Sequence, residues 1–224
     1  MRKSREYAQR LQRLYRGLKR VHAKIEPVSH EDPVDALIYG VISERMSASA
    51  AETAMKVIRR TFVNWNDLRV SRAEEIVETL GRDTPAGRDT AVVLTAALRA
   101  VFDVHHTVSL QALKKLGKRP ARQAIEKLGG ISRFTADYCM LTSLQSHAVP
   151  LTEPMRGYLK QHKIVDAQAN DEEIEGFLTR QVPAKNAYEF YALLREECER
   201  SKPAARRSPR TARRKTGKAT KTRK

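Results

Sequence analysis

The stretch with the most evident chemical use is RPARQAIEKLGGISRFTADYCMLTSL, residues 119–144. Two short helical runs meet there at Leu128-Gly129-Gly130-Ile131-Ser132. The glycines end the first run, because Gly enters the left-handed backbone region at little cost. Ser132 has the side chain of an N-cap for the second. Such a hairpin leaves backbone N–H groups unpaired at a helix N-terminus, where the helix dipole favours an anion. A DNA phosphate is one reading of that anion. An ordinary turn packing two core helices is the other. The surroundings are basic: Lys114, Lys115, Lys118, Arg119, Arg122, Lys127 and Arg133, with Glu126 the one acid between Asp103 and Asp137.

The whole chain carries a net charge of +17 over 224 residues, and that charge is concentrated at its ends. Residues 1–24 hold nine Lys/Arg against one acid, and residues 202–224 hold eleven against none. Residues 25–201 hold 23 Lys/Arg against 25 acids, an ordinary globular balance. Two basic ends on a near-neutral body point to a polyanion, nucleic acid before membrane. Double-stranded DNA is the expected partner. Apolar content of 41%, aromatics at 6% and only ten glycines favour an all-helical protein. Two cysteines, Cys139 and Cys198, are too few for a disulfide scaffold or a four-thiolate metal site, so no metal or cofactor is expected. No apolar run reaches the roughly 18 residues of a membrane span, and the N-terminus lacks a signal-peptide core. A cytoplasmic monomer is the expectation.

The elements that must position the hairpin follow in order. A basic amphipathic helix is predicted over 3–24, with Tyr7, Leu11, Leu14, Tyr15, Leu18 and Val21 as its packing stripe. Asp32-Pro33 is a helix start, and the run from Val34 to Met46 is apolar on nearly all sides, which predicts a central buried helix. Helices are expected over 50–61, from a Ser71/Glu74 capping box to Leu80, and over 88–104 after a loop at 81–87. His105-His106 reads as a solvated turn. Further helices are expected over 109–116, from Thr152-Glu153-Pro154 to about 162, over 171–180 with Asp171 as cap, and over 184–199. The segment from Lys202 has almost no large apolar residue and is predicted to be a disordered basic tail.

Over about residues 5–203 this order resembles the helix-hairpin-helix DNA glycosylases of the endonuclease III type. Asp32-Pro33-Val34-Asp35-Ala36-Leu37-Ile38 with Val41-Ile42-Ser43 is similar to that family's first core helix. There it leads to a Ser-Ala-Gln loop whose Gln enters the duplex near the damaged base. Glu44-Arg45-Met46 stands here instead, so Arg45 holds the Gln position. Leu128 to Ala136 is similar to the family hairpin Leu-Pro-Gly-Val-Gly-Arg-Lys-Thr-Ala. Pro150-Leu151-Thr152-Glu153-Pro154-Met155-Arg156 resembles Val-Asp-Thr-His-Ile-Phe-Arg, and Cys198 stands at the start of the family's iron–sulfur segment.

The resemblance implies a two-lobed helical domain over 1–201, with an inner lobe of about 30–144 and a second lobe from 1–29 plus 145–201. It implies DNA contacts from Gly129, Gly130, Ser132, Arg133, Arg45, Lys118, Arg119, Arg122 and Lys127. It also locates departures. The family's Lys nucleophile, which forms a Schiff base with the sugar, corresponds to Phe134. Its catalytic Asp corresponds to Leu151. Glu153 is the nearest substitute carboxylate, and Asp137 shares a helix face with Phe134. Three of the four cluster thiolates have no counterpart, so the iron–sulfur cluster is expected to be absent. The expectation is a DNA-binding, non-catalytic relative. An active glycosylase using Glu153 is the alternative, and a chromatin-type interaction module the third.

Overall fold

The computed structural model describes residues 2–81 and 83–201; the predicted disordered tail lies outside them. Every regular element among the described residues is helical, as the composition predicted. The order is α1 (Arg2–Val21), α2 (Pro33–Glu44), α3 (Ala48–Thr61), α4 (Trp65–Val70), α5 (Ala73–Thr79), α6 (Pro85–His105), α7 (Lys118–Glu126), α8 (Arg133–Thr142), α9 (Glu153–Gln161), α10 (Asp171–Gln181) and α11 (Ala187–Ser201). Short 3₁₀ turns precede α7 and α11. No helix among them is long and apolar enough to cross a membrane.

The central helix is α2. Asp32 caps it through Oδ1, which accepts from the Val34 N–H at 3.0 Å, and Pro33 opens it. Nine of its twelve residues are buried. Its main neighbour is α8, the second hairpin helix, and Gly40 sets how closely the two approach. A Cβ at Gly40 would lie 2.9 Å from Thr135 Cγ2 and 3.2 Å from Thr135 Cα. Helices α3 and α6 pack on other faces of α2. Asp32 Oδ1 also accepts from the Leu110 N–H at 3.0 Å, tying the start of α2 to the segment that leads into the hairpin.

A second group forms around α11, which packs on α1 and α9 and reaches α8. Tyr15 donates to Glu189, Lys19 pairs with Glu189 at 2.7 Å, and the buried His22 ring meets Glu197 at 2.8 Å. The end of α1 and the His22 that follows it thus run alongside residues 189 to 197 of α11 in the same direction.

Several predicted boundaries shift. Val21 is exposed rather than on the packing stripe, because α1 ends there. The capping pair of α5 is one residue later than predicted: Glu75 accepts from the Arg72 N–H, while Ser71 Oγ turns back to the Asp67 carbonyl at 2.8 Å. Thr84 caps α6, so Pro85–Gly87 is helix rather than loop. Asn170, not Asp171, caps α10, reciprocally with Glu173. His105 is the last residue of α6, and His106 closes it in the left-handed conformation.

Candidate nucleic-acid interface

The hairpin forms as its residue types dictate. Gly130 takes φ +80°, a conformation that L side chains rarely adopt, and both hairpin glycines are exposed. Ser132 caps α8, its Oγ accepting from the Thr135 N–H at 3.1 Å. One of the leading N–H groups of α8 is therefore already satisfied, and an anion there would rely on those before Thr135.

The hairpin arginines are not free charges. Arg133 binds Glu175 through Nε at 2.7 Å and through Nη2, with Glu172 3.6 Å away. Arg122 meets Asp137 at 2.5 Å, Glu175 at 3.2 Å and Glu126 at 3.3 Å. Glu172 and Glu175 lie on α10, and Glu175 is 42 residues beyond Arg133 and 53 beyond Arg122. Burial lowers both guanidinium pKa values, but Asp137 and then Glu175 at Arg122, and Glu175 at Arg133, more than offset it, so both stay charged with carboxylates beside them. Asp137 is the buried member of this network. Burial, and then Glu175, push its carboxyl up to about 7 against the pull of Arg122. The uncompensated positive charge lies elsewhere. Lys118, Arg119 and Lys127 are exposed, and none forms an ion pair among the described residues.

Arg45 stands in the α2–α3 connection and lines a cleft of about 460 Å³ together with Thr152, Arg195 and Glu199. Arg45 is exposed, and its nearest carboxylate is Glu44 at 3.5 Å. Arg195 of α11 builds this loop from beneath. It is 4% exposed, and its guanidinium donates to the Ser43 carbonyl at 2.6 Å, the Met46 carbonyl at 2.9 Å, Tyr191 Oη at 2.7 Å and Glu199 Oε1 at 2.9 Å. Glu199 in turn accepts from the Ala48 N–H at 2.9 Å, at the N-terminus of α3. Sequence reasoning missed this pair. Its signal was present: Arg195 and Glu199 are four apart on the face of α11 that also carries Tyr191, Leu194 and Cys198.

The two positions that the resemblance assigns to chemistry are filled by apolar side chains. Phe134 is 2% exposed and lies among Tyr138 and Tyr191, with ring centroids 6.3 and 6.2 Å away and the Arg195 guanidinium 5.9 Å from its ring. Leu151 is buried, and its carbonyl accepts from Arg156 Nη1 at 2.6 Å. The void between them is about 10 Å³, at the lower limit for one water. Glu153 opens α9 and is exposed, outside both that void and the lining of the cleft. The two cysteines are each buried and lie on different helices, with the Cys139 thiol of α8 near the Pro33 carbonyl on α2 and Cys198 on α11.

No family model matches the sequence, and no curated protein does. Solved structures do match in fold. One is a trapped endonuclease III–DNA covalent intermediate, at TM-score 0.64 and 15% identity, over 85% of this chain and 84% of that one. Another is the Clostridium acetobutylicum 8-oxoguanine glycosylase/lyase in complex with double-stranded DNA containing cytosine opposite 8-oxoguanine, at 0.66 and 16%, over 87% and 70%. A thermostable thymine-DNA glycosylase matches at 0.57 and 14%, over 94% and 90%. The chain therefore has the fold of the helix-hairpin-helix DNA glycosylases, at an identity that speaks for architecture alone.

Proposed function

We propose that this protein binds duplex DNA and does not remove bases from it. The observation that carries the reading is the contrast between two parts of one fold. The hairpin keeps its left-handed Gly130 and its capped helix, while the two positions given to chemistry are a stacked Phe134 and a buried Leu151 around a void too small for a nucleobase. A Phe ring has no group to attack a sugar, and a Leu side chain cannot stabilise a cation. With no four-cysteine set, the reading includes no iron–sulfur cluster.

The hairpin would hold one strand by backbone N–H groups, and Arg45 would face the duplex from the cleft. Residues 202–224 would add affinity without sequence preference and with a steep salt dependence. The endonuclease III and 8-oxoguanine glycosylase/lyase structures of similar fold are DNA complexes, which supports duplex DNA as the ligand class.

The test uses undamaged, oxidised, alkylated, uracil-containing and mismatched duplexes, with binding followed by fluorescence anisotropy and base release by alkaline cleavage. Binding without release is expected, weakened by Gly130→Val and Arg45→Ala and retained in part without residues 202–224. Base release that Glu153→Gln abolishes would overturn the non-catalytic reading. Binding that vanishes with residues 202–224 alone would remove the hairpin from the account.

A further inference from the structure

The ion-pair pattern leaves the hairpin arginines Arg122 and Arg133 neutralised, with Lys127 exposed and unpaired among the described residues at that end of α7 and a cluster of four such cations at the other end. Lys114 and Lys115 end the 3₁₀ turn over Gln111–Lys115, and Lys118 and Arg119 open α7. All four are exposed, and none is in an ion pair among the described residues. This is the wrong sign for a helix start, where the dipole favours acids. The N-cap is Gly117, which has no side chain to accept from the leading N–H groups, and the first turn holds no acid. A helix beginning this way gains from an external anion.

A second, independent feature lies in the wall of the same place. A groove of about 260 Å³ opens there, lined by Lys114, Lys118, Ser143 and Gln145 with apolar residues behind them. Ser143 is 6% exposed, and its hydroxyl is the one buried side-chain polar atom among the described residues without a hydrogen-bond partner. Buried hydroxyls are nearly always paired, and a turn about the single χ1 of Ser143 would carry this one from its unpaired position to an acceptor held in the groove. Ser143 closes α8, whose C-terminal carbonyls would otherwise repel an anion. Those of Cys139, Met140 and Thr142 already accept from the N–H groups of Ser143 and Leu144, Ser146 and His30.

We propose that this groove is a second phosphate seat, taking a backbone phosphate of duplex DNA through the leading N–H groups of Lys118 and Arg119, the Lys114 and Lys118 ammonium groups and the Ser143 hydroxyl. The inference rests on the duplex-binding reading above and adds a contact that the hairpin does not supply. The α7 helix of nine residues separates the two seats by about 13 Å.

The test is a salt titration of full-length protein with an undamaged duplex. The double variant Lys114→Ala/Lys118→Ala, which empties a seat for one phosphate, should reduce the slope of log affinity against log salt by about one. Ser143→Ala should weaken binding about fivefold, yet leave Tm unchanged or raised, since it removes a buried hydroxyl that has no partner. Inorganic phosphate should shift the Lys118 and Arg119 amide resonances, and the duplex should shift the same pair. An unchanged slope with Gly130→Val still weakening binding would overturn the seat and leave the hairpin reading standing. No effect from any of these variants would overturn both. A Ser143→Ala protein that loses Tm along with affinity would assign the hydroxyl a packing role and overturn its part in the seat. Shifts with inorganic phosphate but not with duplex would reassign the groove to a small free anion.

Discussion

Replacing Arg195 with Met removes the buried charge beneath the Arg45 loop while keeping an unbranched side chain of similar reach. The guanidinium makes four hydrogen bonds, two of them to the Ser43 and Met46 carbonyls. Each buried carbonyl left without its donor costs about 1–3 kcal/mol. Glu199 keeps the Ala48 N–H, so its loss is partial. Breaking a buried charge pair from one side costs about 3–5 kcal/mol in total, a large share of the roughly 5–15 kcal/mol that a folded domain possesses. Urea unfolding of the full chain measures it. The expected result is a lower midpoint with the slope retained. Arg195→Lys should recover only part, because one ammonium cannot reach four acceptors spread around a planar fork. A double-mutant cycle with Glu199→Gln should show coupling of about 0.5–3 kcal/mol between the two residues. A loss below about 1 kcal/mol for Arg195→Met would refute the argument that this guanidinium builds the loop.

Two further perturbations follow from the packing and the ion network. Gly40→Val places side-chain atoms against the backbone of Thr135 and should cost about 1–3 kcal/mol, read as a fall in Tm of several degrees. For Asp137, the folded pKa of about 7 lies above the usual 3.8, so the folded state binds the extra proton between those values. Stability from this group therefore grows as pH falls from 7 toward 4, by at most about 4 kcal/mol at 1.36 kcal/mol per pKa unit. Asp137→Asn should flatten that dependence, and carboxyl NMR titration of the wild type should place the Asp137 midpoint near neutrality.

What the sequence disclosed divides along the range of the forces involved. The α2 start was legible because Asp32 and Pro33 act within three residues of themselves, and the hairpin because Gly130 must supply a positive φ locally. Boundaries slipped where two neighbouring residues compete for one role, as at Ser71 against Arg72 and Asp171 against Asn170. The electrostatic state of the hairpin was not legible. Arg122 and Arg133 sit in a basic run, and nothing nearby announces that Glu172 and Glu175 will fold back onto them. Net charge along a chain is a poor guide to free charge on a surface when the neutralising partner arrives from another helix. The clustering of Lys114 to Arg119 was visible in sequence, but that these cations stay unpaired while the arginines do not is a property of the fold.

The contact between Glu199 and Ala48 fixes more than the start of α3. It brings the last turn of α11 to the α2–α3 connection, so the chain continues toward residue 202 from beside Arg45. On the duplex-binding proposal, a polyanion held in the cleft would lie close to the point where a segment with eleven Lys and Arg joins the folded body, which makes the second contact an intramolecular one. Weak, unspecific attraction from that segment would then add as avidity to whatever the folded body holds. Moving the same basic segment to the other end of α11 would keep the net charge and lose that gain.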